Sequence, residues 1–555
     1  VKTELEQRIA AACKELFDAE PQIELTRPEE QFGDYASSVA LQLAGQVGKP
    51  PREIAEALAA KLRQTLAKQI SEVSVAGPGF INLKLSGQAL AAAVQSQPAR
   101  SLKDKIVAAE YSDPNPFKPL HAGHLYTTLV GDVIARLLET AGAQVIRINY
   151  GGDVGLHVGK TMWAIIRELG GEDSAKLEHI PARERPNWLG ARYVEGNEAY
   201  ETDETSRRAI IELNKRVYAL HEQQDHQSAL AQIYWTCRDW SYEYFKQLYD
   251  QLQVHQFDRV IPESEIVPLG LKTVREHVGK VYEESADAIV FKGEEHGLHT
   301  RVFITSQGLP TYEAKDVGLL MTKWQDYHFD QSLVITANEQ AQYMQVMLKS
   351  VAQFAPEPAE RSRHLTHGIV KLAGGVKMSS RKGNVVGALD ILEAAHEANQ
   401  KLTGQQNEDA VLGAVKYAFL KTRIGGDIIY DPIESVSLEG NSGPYLQYAH
   451  ARARSILRKA EGQPAEPADL QADERSLVRK LTEYAETVDL AVSELMPHHI
   501  CTYLYELAQT FNRFYEHNRV LGDERQAARL WLVARYADTL KTGLGLLGIA
   551  APEQM

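Results

Sequence analysis

The chain has 555 residues, a mass of 61.8 kDa and a formal charge of -14; it is too long for one core and suits roughly three or four domains. With 44% hydrophobic and 24% charged residues, the composition is that of a folded, soluble protein without a long disordered tract. The acidity argues against broad, nonspecific nucleic-acid binding and leaves RNA contact to local basic patches.

Three cysteines, Cys13, Cys237 and Cys501, lie far apart without zinc-type spacing. A disulfide framework and a structural zinc are therefore not expected, and a reducing compartment fits. The start carries no apolar signal-like core, and no stretch approaches the ~20 apolar residues of a membrane span. A cytoplasmic protein without membrane contact is expected.

Residues 1–102 read as an α+β unit. Apolar residues recur at helical spacing through Leu5, Ile9, Ala12 and Leu16, and again through Ile54, Ala55, Leu58 and Leu62. Gly77-Pro78-Gly79 then breaks the chain before the alternating strand 80–85.

Residues 103–404 read as a second unit. The stretch 105–111 is a buried strand, Pro114, Pro116 and Pro119 delay the next helix, and Leu125, Leu129, Val133, Leu137 and Leu138 line one face of it. Gly142 can end that helix, and 145–150 is the next strand, so a right-handed parallel crossover is expected. His121-Ala122-Gly123-His124 falls at the helix start, where a helix N-terminus favours phosphate. Alone, such a tetrapeptide is more often a loop, core histidines or a metal pair.

The stretch of about 155–285 is helical and charged, with Tyr234, Trp235, Trp240, Tyr242 and Tyr244 as expected insertion core. Strands resume at 288–291 and 301–305, followed by a helix from about Glu313 and a strand at 332–336. The expected architecture is a Rossmann-type, doubly wound α/β sheet split by a helical insertion. The lysine-rich element Lys377-Met378-Ser379-Ser380-Arg381-Lys382-Gly383, taken alone, reads as a solvated basic turn. Residues 405–555 read as an all-α bundle, in which 445–454 mixes aromatic and basic side chains. That mixture suits an RNA-facing helix and equally a packed aromatic face with solvated arginines.

Taken together, His121-Ala122-Gly123-His124 and Lys377-Met378-Ser379-Ser380-Arg381 resemble the HIGH and KMSKS elements of class I aminoacyl-tRNA synthetases. The context 113–125, with its Pro-Asn and Lys-Pro pairs, resembles the arginyl-tRNA synthetase form. Gly152-Asp153-Val154-Gly155 matches that family's Gly-Asp-x-Gly segment, although His157 stands where glutamine is more usual. Tyr312 with Asp316, Asn338-Glu339-Gln340, Phe32-Gly33-Asp34-Tyr35, 77–82 and 443–449 extend the resemblance over nearly the whole chain.

The resemblance implies a monomeric ligase that activates L-arginine with ATP, accompanied by Mg2+ without a fixed protein site, and transfers it to tRNA-Arg. It implies catalytic roles for His121, His124, Lys377 and Lys382, and further ATP contacts from Gly123, Met378 and Ser379. Arginine would be held by Glu110, Asn115, Tyr312, Asp316 and Gln340, and tRNA by Phe80, Asn82, Tyr445, Gln447 and Tyr448. The N-terminal unit would touch the tRNA D-loop and the C-terminal bundle the anticodon; arginine activation would require bound tRNA.

Spacing supports one of these roles. Tyr312 and Asp316 are four apart and share a helical face, where a carboxylate can take a guanidinium; without the resemblance they read as a surface pair. Ser380 occupies the loop position where a second lysine often sits, and Lys382 is the candidate substitute. The alternatives are a synthetase for another amino acid, a related nucleotidyltransferase, or a noncatalytic RNA-binding paralogue. The helical C-terminal unit speaks against the second, and the intact paired elements speak against the third.

Overall fold

The computed structural model describes residues 1–373 and 386–555. Lys377, Met378, Ser379 and Lys382, named above for ATP, lie outside the described residues.

The first unit comprises α1 (Lys2–Phe17), β1 (Leu25–Thr26), β2 (Tyr35–Ser37), α2 (Val39–Val47), α3 (Pro51–Thr65), β3 (Ile70–Ala76), β4 (Phe80–Leu85) and α4 (Gly87–Ala93). Its strands pair antiparallel in the order β1-β2-β4-β3. The helical stripes Leu5, Ile9 and Ala12, and Ile54, Leu58 and Leu62, are buried in one core with Ile81 and Leu83. Leu16 departs from expectation: it is 40% exposed, and Cys13 fills the inner position on that face.

The second unit opens with β5 (Ile106–Glu110), α5 (Ala122–Thr140) and β6 (Gln144–Gly151). The helices α6 (Leu156–Leu169), α7 (Arg185–Thr202), α8 (Glu204–Glu222) and α9 (Ala229–Gln251) follow, with a separate core around Val158, Met162, Ile233 and Tyr234. Next come β7 (Arg259–Pro262), α10 (Glu263–Glu276), β8 (Glu283–Ser285), β9 (Ala288–Phe291), β10 (Arg301–Ile304), α11 (Tyr312–Tyr327), β11 (Gln331–Ala337), α12 (Ala341–Val351), α13 (Pro356–Glu360) and β12 (Ser362–His367).

Five of these strands form an all-parallel sheet in the order β12-β11-β5-β6-β7. The chain reverses its winding direction between β5 and β11, which opens a crevice at their carboxyl ends, where doubly wound sheets bind ligands. Two details differ from the sequence reading. Strand β7 lies inside the stretch read as helical insertion; it has four residues of which only Ile261 is buried, too short for a periodic signal. Strands β8, β9 and β10 form their own antiparallel sheet rather than joining the parallel one.

The last part contains β13 (Val370–Leu372), α14 (Ala388–Thr403), α15 (Glu408–Leu420), β14 (Ile428–Tyr430), α16 (Pro432–Ser435), α17 (Gly443–Lys459), α18 (Ala472–Thr482), α19 (Tyr484–Glu494), α20 (His498–His517) and α21 (Gln526–Leu546). It is helical except for β13 and β14, three-residue strands that pair in parallel and that alternation over so few residues could not reveal. No helix among the described residues is long and apolar enough to cross a membrane.

The N-terminal unit docks directly on α18 and α19. Asp34 Oδ2 accepts from Arg475 at 2.5 Å and from the Leu85 backbone at 2.7 Å. Glu486 Oε1 accepts from Arg27 and from the Tyr35 hydroxyl, each at 2.7 Å. The Phe32-Gly33-Asp34-Tyr35 motif thus supplies an interdomain seam.

Candidate active site

Strand β5 ends at Glu110, and eleven residues carry the chain to α5. Three non-glycine residues of this loop, Ser112, Asp113 and Phe117, have φ of 75°, 47° and 67°, a conformation that persists only where the surroundings impose it. Asp113 accepts from the Tyr150 backbone at 2.7 Å and Asn115 from the Gly152 backbone at 2.8 Å, so both side chains tie the loop to the end of β6. From the helical insertion, Ser241 accepts from the Phe117 backbone, Tyr234 stacks on the Phe117 ring and Tyr249 bonds Ser112. The insertion aromatics therefore serve as core and brace.

At the start of α5, the Gly123 N–H donates to His121 Nδ1 at 3.1 Å and the His121 N–H to His124 Nδ1 at 3.2 Å. The rings lie 3.8 Å apart. Burial, with Lys118 and His367 nearby, pushes His121 down to about 4 and His124 well below its usual value. Both imidazoles are thus neutral near pH 7, and because each Nδ1 is an acceptor, each proton sits on Nε2. The helix start offers two Nε2–H donors without positive charge. A Cβ on Gly123 would lie 2.9 Å from His121 Cε1, so this position needs glycine to keep the ring in place. The chain on the far side of the lysine-rich element is pinned here: Ala122 N–H donates to Val386 O at 2.8 Å, and Ala388 N–H to Leu120 O at 3.0 Å.

The second cluster is acidic. Glu110 and Asp316 line one cavity with Lys323, Val334, Met344 and Met347. Lys323 Nζ lies 2.5 Å from Glu110 Oε2 and 3.1 Å from Ser332 Oγ, closing that ion pair. Lys315 closes a second pair with Glu263 at 2.5 Å. Asp316 has no cation among the described residues; its bond is to the Tyr343 hydroxyl, at 2.7 Å. Burial, with Glu110 close by, pushes the Asp316 carboxyl up to about 8. Asp113, also buried beside Glu110, is likewise raised. Four carboxyl groups, those of Glu110, Asp113, Glu263 and Asp316, lie together; Lys323 and Lys315 pair with Glu110 and Glu263, and among the described residues Asp113 and Asp316 have no ion-pair partner. Buried carboxyl groups without an ion-pair partner suit a cationic ligand.

Of the other residues expected to hold arginine, Tyr312 opens α11 with 57% exposure beside Lys315, and Gln340 lies half-buried just past β11. Asn115 is committed to the backbone and abuts Glu263 across Gly152, whose Cβ would lie 2.5 Å from Asn115 Oδ1 and 3.1 Å from Glu263 Oε1. Sequence reading missed Glu263, Lys315, Lys323 and Tyr343. Lys323 left a signal: it stands two helical turns beyond Asp316, on the same face of α11.

The residues expected to contact tRNA lie in the terminal units. Phe80 is 40% and Tyr448 45% exposed, and Asn82 shares the Phe80 face of β4 but is covered. The Tyr445 hydroxyl accepts from Asn512 at 2.9 Å. Gln447 corrects the expectation: it is fully buried, donating to Asp409 O at 2.9 Å and Ala550 O at 3.0 Å. Helical spacing places Gly443, Gln447 and His450 on the inner face of α17, so Gln447 braces the bundle instead of meeting RNA.

Comparison with known proteins covers the whole chain. Residues 86–437 match the family described as tRNA synthetases class I (R), catalytic domain. Residues 446–555 match the DALR anticodon binding domain, and residues 3–85 the arginyl tRNA synthetase N terminal domain. An arginine–tRNA ligase of Lactobacillus delbrueckii subsp. bulgaricus is 33% identical over 564 residues, covering 96% of each chain. One of Phocaeicola vulgatus is 27% identical over the full length of both. The solved Thermus thermophilus arginyl-tRNA synthetase superposes with a TM-score of 0.80 at 27% identity, covering 100% of both chains.

Proposed function

The chain belongs to the arginyl-tRNA synthetases, a class I aminoacyl-tRNA synthetase family, and from that premise we propose that it joins L-arginine to the terminal adenosine of tRNA-Arg. An arginine carboxylate oxygen attacks the α-phosphorus of ATP, the bond to the β-phosphate bridging oxygen breaks, and pyrophosphate leaves. The terminal ribose hydroxyl of tRNA then attacks the adenylate carbonyl and AMP departs. The protein's part is positioning and fixed electrostatics.

One observation carries this reading: the two Nε2–H donors at the start of α5 and the cation-deficient acidic cluster flank the carboxyl end of the same strand, β5. His121 and His124 donate to the nucleotide as charge builds on its α-phosphate, with the positive end of α5 behind them. Gly123 lets the nucleotide approach the backbone. Lys377 and Lys382 are assigned to the β- and γ-phosphates, with Met378 and Ser379 beside them. Magnesium is read as part of the MgATP substrate, and no residue is assigned to it.

Asp316 takes the guanidinium in a charge-assisted contact, Tyr312 covers it and Gln340 borders it. Glu110, Asn115 and Glu263 form the side of the cluster suited to the α-amino group. Residues 1–102 and 405–555 are read as tRNA-binding units around the catalytic residues 103–404, through Phe80, Asn82, Tyr445 and Tyr448. A cytoplasmic monomer completes the reading.

ATP–pyrophosphate exchange, run with each amino acid and with and without tRNA, tests it. Exchange that depends on arginine and on tRNA is expected. Exchange with lysine or glutamine but not arginine refutes the specificity, and none under any condition refutes the catalytic reading.

A further inference from the structure

Among the described residues, Asp316 has one hydrogen-bond partner, the Tyr343 hydroxyl, which reaches Oδ2 at 2.7 Å from the first turn of α12. Lys323 cannot serve in its place, because its ammonium is engaged by Glu110 and Ser332. Tyr343 itself is held: it packs against the core on that side of the sheet, and the Arg301 guanidinium, paired with Glu313 at 3.0 Å, lies 6.0 Å from its ring. Burial and Asp316 hold the phenol well above its ordinary value, so it stays a donor.

The groups facing Asp316 are mostly acidic or neutral. They are Glu110 from β5, Asp113 from the loop after it, Glu263 from α10, Tyr150 from β6, and Tyr312 and Lys323 from its own helix. A carboxylate in that company has two needs before it can read a guanidinium. One oxygen must be fixed so that the other points into the crevice, and the repulsion of its neighbours must be offset without a cation that would compete with the ligand. A neutral hydroxyl donor meets both.

We propose that Tyr343 is a positioning residue for arginine recognition: its phenol anchors Oδ2 of Asp316, leaves Oδ1 as the acceptor for the guanidinium, and supports the anion against Glu110 and Glu263. The proposal rests on the reading of Asp316 as the guanidinium partner. Tyr343 touches neither ATP nor the reacting carboxylate, so its removal acts on arginine affinity and on the pH at which that affinity appears.

The test is tRNA-supported ATP–pyrophosphate exchange by the full chain and by Tyr343→Phe, with kcat and both KM values followed from acid to alkaline pH. Losing a hydrogen bond to a charged group should raise the arginine KM about 10-fold, with kcat and the ATP KM within about 2-fold. The midpoint of the pH dependence of the arginine KM should move to higher pH, because the lost donor had favoured the anion. An unchanged arginine KM and midpoint would overturn the proposal. So would a parallel loss of kcat and both affinities at an unmoved midpoint, together with a lowered unfolding temperature, which marks lost packing. A wild-type chain that shows no exchange with arginine refutes the substrate reading itself, and the positioning role with it.

Discussion

Lys323 neutralises Glu110 at 2.5 Å, whereas Asp316, which lines the same cavity, is left without a cation among the described residues. Closing one pair and leaving the other open suits the crevice to the guanidinium proposed to bind there. Asp316→Asn should raise the arginine KM by about 100-fold, the loss of a buried charge-assisted contact at roughly 1.4 kcal/mol per factor of ten. The unliganded variant should unfold no earlier than wild type, since a repelled carboxylate has been removed, and arginine should no longer raise its unfolding temperature. Lys323→Met should behave oppositely. It strands the Glu110 charge and should cost about 3–5 kcal/mol of stability in denaturant unfolding.

The Asp316 carboxyl, raised to about 8 by burial and Glu110, should make arginine binding pH-dependent if it takes the guanidinium as proposed. An aspartate in an unfolded chain titrates near 4, so between about pH 4 and 8 the folded state holds this proton more tightly. Its contribution to stability is therefore complete below about 4 and is lost as pH rises through about 8. Arginine needs the anion, so its KM should fall as pH rises and level off above about 8. Calorimetry in buffers of different ionisation enthalpy should show a proton released on arginine binding at pH 7.

In the proposed reading the two imidazoles act as neutral donors, which separates them from a pair of cations. Since His121 is lowered to about 4 and His124 well below its ordinary value by burial, the rate of adenylate formation should show no loss centred near pH 6.5. His121→Ala and His124→Ala should each slow that step by about 100- to 1,000-fold, as for a lost oxyanion donor. Gly123→Ala should slow it as well, because its Cβ would meet the His121 ring at 2.9 Å. Single-turnover formation of arginyl-adenylate reads all three.

Some of this site was legible in the chain and some was not. The β5–α5–β6 crossover showed itself because Leu125, Leu129, Val133 and Leu137 repeat at helical spacing between two apolar runs, and three prolines marked the intervening loop. Asp316 was named by the family resemblance, with its four-residue spacing from Tyr312 in support. Tyr343, Lys315 and Glu263 were not, because their partners come from other elements and meet only when α10, α11 and α12 pack together. Gln447 failed for a different reason: an aromatic-rich string suggested a surface, while helical phase turned that one side chain inward.

The seam between the terminal units should be a stability element. Asp34 is 1% exposed and accepts from Arg475 and the Leu85 backbone, so Asp34→Ala leaves Arg475 and an amide unpaired. A loss of about 3–5 kcal/mol is expected, measured by denaturant unfolding, with the arginine KM unchanged.

The most direct measurement is transfer of labelled amino acid to tRNA. The purified chain is incubated with ATP, magnesium, tRNA and each labelled amino acid in turn. Label from arginine alone should appear on tRNA-Arg as an alkali-labile ester and disappear in Asp316→Asn at limiting arginine. Label from another amino acid in its place, or none from arginine with the intact chain, would contradict the assignment.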